Sequence, residues 1–444
     1  MSDSKVIFCG NCKDYLREDL IKDSNASNGA PAFRIPSLIN ANGTLVAAID
    51  KASTGADWGY IELAVRTSKD FGKTWSDIKT IASPPAREIN SDIENTKTAF
   101  FIDPCMTVAP NGDIVMVVTF FPECKGIHAK KLLDKNKPAY TSHDGKICPV
   151  IYDRDGNYYT VLQGGSVIDS AKNATEYSVK GLGELYKKDE YVGNIFLNGA
   201  KGRSQDDDKK TTYGAPLKAP KRSYVYMLKS ADNGETWSEP RDITGSFLTE
   251  KDGTFLAVAP GCGITTSKGR IIMPLYTLSG TVAVYSDDNG ETWNRNFRAP
   301  YTQNKGEWCI IETSDGLLYG YGRANSYKHI PVCVSTDGGI TWSSDKAAKP
   351  KAPKCQKNAI VVGDRVLISH PNSKKRENGV ISVGEFDYDK KGGFKGIDWK
   401  KHSDIEINNG FFAYSSMAQI GDNKIAVLYE DQPSSHIMFK TIDL

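Results

Sequence analysis

The sequence predicts an all-β fold, a six-bladed β-propeller with a small β-rich inserted domain, and three observations carry that expectation. An eight-residue pattern recurs four times, its recurrences are spaced by about one four-stranded sheet, and the segments before them read as strands.

The pattern is S-x-D-x-G-x-T-W: "SKDFGKTW" at 68–75, "SADNGETW" at 230–237, "SDDNGETW" at 286–293 and "STDGGITW" at 335–342. Asp or Asn beside Gly makes a tight turn in which the carboxylate accepts backbone N–H bonds and Gly takes φ > 0. Thr-Trp then restarts a strand and supplies an apolar anchor. Each octet is therefore a hairpin tip behind a strand such as "IELAVRT" or "TVAVY", and Asp70, Asp232, Asp288 and Asp337 read as turn formers rather than catalytic acids.

Asp232 and Asp288 lie 56 residues apart and Asp288 and Asp337 lie 49 apart, about one propeller blade plus loops. The first interval, Asp70 to Asp232, is 162 residues, two blade lengths and a surplus of about 60 at this period. This predicts a blade without the octet, containing "DIVMVVTFF" (113–121), and an insertion at 131–221 between propeller parts at 1–130 and 222–444. The insertion carries turn formers and solvated charge, as in "GRSQDDDKKTT". About two blades follow Asp337, and the N-terminal segment is expected to pair into the last blade and close the ring.

Bulk properties exclude other classes. The formal charge is +2, from 56 basic and 54 acidic residues, so no global field favours nucleic acid or a membrane surface. No run of 18 apolar residues suggests a membrane span, and the N-terminus lacks the basic and apolar regions of a secretory leader. Nine cysteines show paired spacing only at Cys9 and Cys12, without a second half-site, and read as ordinary thiols of a reducing compartment. The six histidines form no zinc motif, so no metal or other cofactor is expected. Asn25, Asn42 and Asn173 stand in glycosylation sequons that matter only if the chain is secreted.

"PAFRIPSLI" (31–39) sets one guanidinium, Arg34, inside an apolar run. Burying that charge costs several kcal/mol unless a partner meets it, so Arg34 either pairs with an internal carboxylate or is kept for an anionic ligand. Period 2 turns Phe33 and Ile35 to one side and Arg34 to the other, and Pro36 places the residue near a strand end.

Octets following an F-R-I-P strand resemble the sialidase (neuraminidase) superfamily, six-bladed propellers that cleave terminal sialic acids, over most of the chain from about Val6 to Leu444. The insertion resembles the small β-rich domain inserted in some bacterial members. The resemblance implies that Arg34, Arg323 in "GLLYGYGRA" and Arg376 in "SKKRENG" clamp the sugar carboxylate, a task suited to a planar two-donor fork. It makes Tyr414 in "GFFAYSSMAQI" the nucleophile, Glu307 in "KGEWCII" its base with Glu312 as the rival, and Asp57 in "TGADWGYIE" the acid/base with Asp50 as the rival. A phenol suits an anomeric carbon that carries a carboxylate, because it approaches neutral; sialidases depart from the two-carboxylate scheme of other glycosidases for this reason. With an ordinary pKa near ~10 it needs a base beside it.

Asp103 in "FIDPCM" resembles an aspartate that contacts the sugar's O4 hydroxyl, or is a turn former before Pro. At "IDKAS" many relatives carry an arginine where this chain has Ala52, and Lys51 is the candidate substitute. The implied reaction is retaining hydrolysis of terminal sialic acids from glycoproteins, glycolipids or oligosaccharides by a monomer. An intramolecular trans-sialidase, a sialoglycan-binding lectin and a scaffold propeller are the rivals. Relatives are mostly secreted or surface-bound, whereas the missing leader and the thiols suit the cytosol, so compartment stays open.

Overall fold

Apart from two sheets in the inserted segment, strand-forming residues alternating with Gly- and Asp-rich turns build six mainly antiparallel sheets in the computed structural model. It describes residues 4–10, 26–27, 29–87, 98–128, 134–198, 202–203, 210–211, 214–296, 306–400, 404–431 and 436–444. The sheets are the blades of a propeller. The first contains Ala32–Ala41, Thr44–Ala52, Ile61–Ser68 and Lys79–Ala82, and the second Phe100–Val108, Ile114–Phe121, Tyr224–Ser230 and Arg241–Asp242. The third contains Leu256–Val258, Ile271–Thr277, Gly280–Ser286 and Asn294–Arg295; the fourth Trp308–Glu312, Leu318–Gly322, Lys328–Ser335 and Ser343–Ala352. Asn358–Val362, Arg365–Pro371, Glu377–Tyr388 and Phe394–Asp398 make the fifth. The sixth is Ser415–Gly421, Lys424–Glu430 and His436–Asp443, completed by the N-terminal Lys5–Cys9 on His436–Asp443. That pairing ties the chain ends into one sheet and closes the ring.

The second blade corrects the count made from spacing. Ile114–Phe121 pairs with Tyr224–Ser230 from Ile114 opposite Ser230 to Phe120 opposite Tyr224, so the octet at 230–237 belongs to the blade that contains "DIVMVVTFF". No octet-free blade lies between Asp70 and Asp232; the blades lacking the octet are the fifth and sixth. Residue counting cannot tell a blade from an inserted domain of similar length.

Between those two strands the chain forms its own seven-stranded antiparallel meander, from Tyr140–His143 at one edge to Glu190–Asn194 at the other. It is not a free appendage. Phe120 of the blade meets Phe196 edge-on at 4.9 Å, and Ile151, Leu185, Phe196 and Leu217 share one apolar core with Phe101, Phe120 and Tyr226.

All four octets share one hydrogen-bond scheme. The Gly N–H donates to the Ser hydroxyl at 2.7–2.9 Å. The Thr N–H donates to the Asp carboxylate at 2.8–2.9 Å. Burial pushes the Asp288 carboxyl up, but the bonds from Thr292 and Ser286 outweigh it and hold it down at about 2. Because strand directions alternate within a blade, these tips after each third strand lie at the end of the propeller opposite the starts of the first strands. They brace the far rim and leave the other face for chemistry.

Near the axis, side chains extend the backbone ladder between blades. Gln356 accepts from the Ser415 N–H and donates to its carbonyl, both at 3.0 Å, Asn358 accepts from Met417 N–H at 2.8 Å, and the Leu38 N–H donates to the Ser416 hydroxyl at 2.9 Å. Eight cysteines are described, all as free thiols, while Cys12 lies outside the described residues. Among the described residues no helix is long and apolar enough to cross a membrane.

The octets differ at their fourth residue, which adopts φ of +57° at Phe71, Asn233 and Asn289 and +68° at Gly338. Only Phe71 pays the left-handed penalty with a bulky and largely exposed side chain. Phe71→Asn is expected to raise stability by about 0.5–1 kcal/mol in thermal or denaturant unfolding; a decrease would mean that the ring contributes packing which outweighs its strain.

Candidate active site

The site is assembled at the face where first strands start and second strands end. Arg34 lies in the first strand of the first blade, where the pairing with Thr44–Ala52 is interrupted between Arg34 and Ser37. Ile35 there takes φ +61°, an outlier for a β-branched residue, and Pro36 follows. The Ile35 N–H, freed from the ladder, donates to Glu430 Oε1 at 3.0 Å, and Arg34 Nε lies 3.4 Å from the same oxygen. Glu430 is 1% exposed. Burial opposes the Arg34 charge, but the carboxylates of Glu430 and Asp57 outweigh it and raise its pKa. The arginine is thus paired with carboxylates of the chain on both edges: Nε faces Glu430, and Nη1 meets Asp57 Oδ1 at 2.5 Å.

The second blade repeats the device. Asp103 takes φ +68° before Pro104 at an interruption between Ile102 and Cys105, and its N–H donates to Asp50 Oδ2 at 3.4 Å. Both carboxyls are buried. Burial pushes each well up, and mutual repulsion pushes Asp103 further, so the pair is held toward the protonated form. Asp50 Oδ1 finds no hydrogen-bond partner among the described residues.

Glu307 precedes the fourth blade's first strand and Arg323 follows its second, joined by an Arg323 N–H bond to the Glu307 carbonyl at 2.8 Å. Arg323 Nη1 donates to Glu307 Oε1 and Oε2 at 2.7 and 2.6 Å. Tyr414, just before the sixth blade's first strand, donates its hydroxyl to Glu307 Oε1 at 2.7 Å and accepts from Arg323 Nη1 at 3.0 Å. Burial and then the Glu307 carboxylate push the phenol well above its usual value, with Arg323 opposing them. The hydroxyl is therefore neutral and already hydrogen-bonded to the base that could take its proton.

The guanidinium carbons of Arg34 and Arg376 lie 5.8 and 5.5 Å from the Tyr414 ring centre, so with Arg323 three cations surround one phenol. Asp57, 46% exposed on the side chain, stands on the loop between the first blade's second and third strands. Phe255, Ile127, Phe411, Tyr276 and Trp58 form an apolar collar packed with Tyr414. Glu312 is at the far end of Trp308–Glu312, bonded to Ser267 N and Oγ at 2.6 and 2.9 Å, and does not reach Tyr414. Lys51 is also directed elsewhere. Its ammonium pairs with Glu62 Oε2 at 2.7 Å and donates to Thr80 Oγ1 at 3.0 Å, because period 2 turns it away from the face that Asp50 occupies. It leaves the position next to Ala52 without a cation.

Comparison with known proteins fits this geometry. The BNR repeat-like domain family matches residues 210–427. The anhydrosialidase of Macrobdella decora is 27% identical over 90% of this chain and 58% of its own length. Sialidase B of Streptococcus pneumoniae is 25% identical over 94% of this chain and 64% of its own. The intramolecular trans-sialidase of Ruminococcus gnavus, solved with oseltamivir carboxylate, superposes with a TM-score of 0.77 at 25% identity, covering 94% of this chain and 95% of that one. The chain is similar to members of the sialidase superfamily over most of its length. It spans less than two thirds of the length of the two curated relatives.

Sequence reasoning missed Glu430, Tyr276 and Gln356 at this site. Glu430 ends "KIAVLYE", where an acid after an apolar run reads as an ordinary strand exit. Nothing local says that it folds against Arg34, 396 residues earlier in the chain. Glu430→Ala leaves the Arg34 guanidinium and the Ile35 N–H short of a buried partner and is expected to cost about 3–5 kcal/mol in thermal unfolding. Glu430→Gln, which keeps an acceptor for the N–H, should cost clearly less; equal costs would show that the charge carries the whole effect and the retained acceptor contributes nothing.

Proposed function

We propose that this chain is a retaining exo-α-sialidase that releases terminal sialic acids from glycoconjugates through a covalent Tyr414 intermediate. The observation that carries the reading is the Tyr414 hydroxyl held between Glu307 Oε1 at 2.7 Å and Arg323 Nη1 at 3.0 Å. A neutral phenol can approach an anomeric carbon flanked by a carboxylate, and Glu307 takes its proton as the new bond forms.

Arg34, Arg323 and Arg376 bind the sugar carboxylate. That carboxylate competes with Asp57 for Arg34 Nη1, so substrate binding frees Asp57 from its ion pair to face the leaving oxygen, to which it gives a proton. Asp50 and Asp103, held toward their neutral forms, suit a substrate hydroxyl better than a charged group. Once the aglycone departs, Asp57, now ionised, takes a proton from the incoming hydroxyl, which attacks the anomeric carbon and expels Tyr414 with net retention.

The incoming hydroxyl decides the product. Water yields free sialic acid, and the substrate's own glycerol hydroxyl yields a 2,7-anhydro sugar. The second outcome is favoured by the anhydrosialidase and the intramolecular trans-sialidase, which match 90% and 94% of this chain. The apolar collar suits it as well, since it limits access of water to the intermediate.

Tyr414→Phe is expected to lower turnover of an α2-3-sialoside by about a thousand-fold or more while the protein stays folded. Mass analysis of the wild-type product separates the two acceptors. Binding without turnover by the wild type would overturn the enzymatic reading in favour of a lectin.

A further inference from the structure

Asp57 has two neighbours able to pair with a carboxylate among the described residues. Arg34 holds Oδ1, and His128 Nε2 lies 3.8 Å from Oδ2, within ion-pair reach but longer than a hydrogen bond. The imidazole also lies on the neighbouring residue of the same loop, its ring centre 4.9 Å from that of Trp58, and Lys125 Nζ approaches Trp58 at 5.5 Å. His128 therefore touches the acid loop twice, by a ring contact and by a polar one.

The segment that delivers His128 is built for placement. It leaves the second blade after Phe121 and leads toward the inserted domain. Glu123, buried there, pairs with Arg87 Nη2 at 2.5 Å and accepts from Asn198 N–H at 2.7 Å. Gly126 has φ +51°, and a Cβ there would lie 3.0 Å from the Phe100 ring, so glycine suits both the backbone conformation and the close approach. The His128 N–H closes the turn on the Lys125 carbonyl at 3.0 Å.

Resting on the reading above, we infer that His128 is a positioning residue for the acid/base carboxylate, keeping Asp57 directed at the leaving oxygen after the substrate takes Arg34. In the free site Arg34 does most of the orienting, at 2.5 Å against 3.8 Å. When the sugar carboxylate engages the arginine, that restraint weakens and Oδ2 retains only the imidazole. A proton donor must lie within hydrogen-bond reach of the oxygen it protonates, so a loop held by Trp58 alone would place Asp57 less well. The insertion's stem thereby contributes to a reaction whose other groups all come from the blades.

Two substrates and three variants test this. An aryl α-sialoside has a leaving group that departs without a proton, whereas α2-3-sialyllactose requires one. His128→Phe keeps a ring on Trp58 and removes the polar contact; His128→Ala removes both; His128→Gln keeps a hydrogen-bonding group without the ring. For sialyllactose, kcat/KM should fall about ten-fold in His128→Phe and His128→Ala and stay within about three-fold of wild type in His128→Gln, while the aryl sialoside changes less than about two-fold throughout. Wild-type rates on sialyllactose in His128→Phe, a fall in His128→Gln as deep as in His128→Phe, or equal losses on both substrates would overturn the assignment. A wild type inert on both substrates would instead refute the sialidase reading itself.

Discussion

A guanidinium embedded in a hydrophobic strand is the constraint around which this site is organised. Arg34 cannot shed its charge, so the fold must supply Glu430, and to reach Glu430 the strand interrupts its own ladder. The interruption puts Ile35 in the left-handed region, frees its N–H for the same carboxylate, and leaves Nη1 toward the open site. A buried ion pair, a strained residue and an exposed donor are one arrangement. Glu430 in turn ties Arg34 to Tyr414, since its N–H donates to the Tyr414 carbonyl at 3.0 Å.

Antiparallel blades divide the molecule into two ends with different duties. The octets satisfy their own backbone groups and seat their tryptophans at the end where third strands finish. At the opposite end, loops and strand starts from the first, second, fourth, fifth and sixth blades converge, and their side chains are joined by short polar contacts. Two Xaa-Pro interruptions, at Ile35-Pro36 and Asp103-Pro104, bend first strands at this end. Strain and a buried carboxyl pair collect here because the ring of blades, already stabilised elsewhere, can hold them.

Much of the architecture was legible because it is periodic. The S-x-D-x-G-x-T-W turns carry their mechanism in their residue types, and each forms the hydrogen bonds that its composition implies. The blade count in the middle of the chain was less legible. Strand 114–121 finds its partner at 224–230, across an inserted segment about as long as two blade intervals. Among the site positions, Arg34, Glu307, Arg323 and Arg376 stand around the Tyr414 phenol. Lys51 did not join them, because one residue of register turns it to the opposite face of its strand.

By itself the sequence determined the repeating turn, the alternation that makes strands, and the presence of an arginine, a tyrosine and a glutamate in recognisable local settings; these depend on neighbours a few residues away. Tertiary structure alone decided that Glu430 meets Arg34, that Asp50 and Asp103 share a buried position without a nearby lysine, and that His128 from the insertion's stem stands beside Asp57. A propeller brings residues hundreds of positions apart to one end of one axis. Contacts made there are set by ring closure and register, which no local pattern encodes.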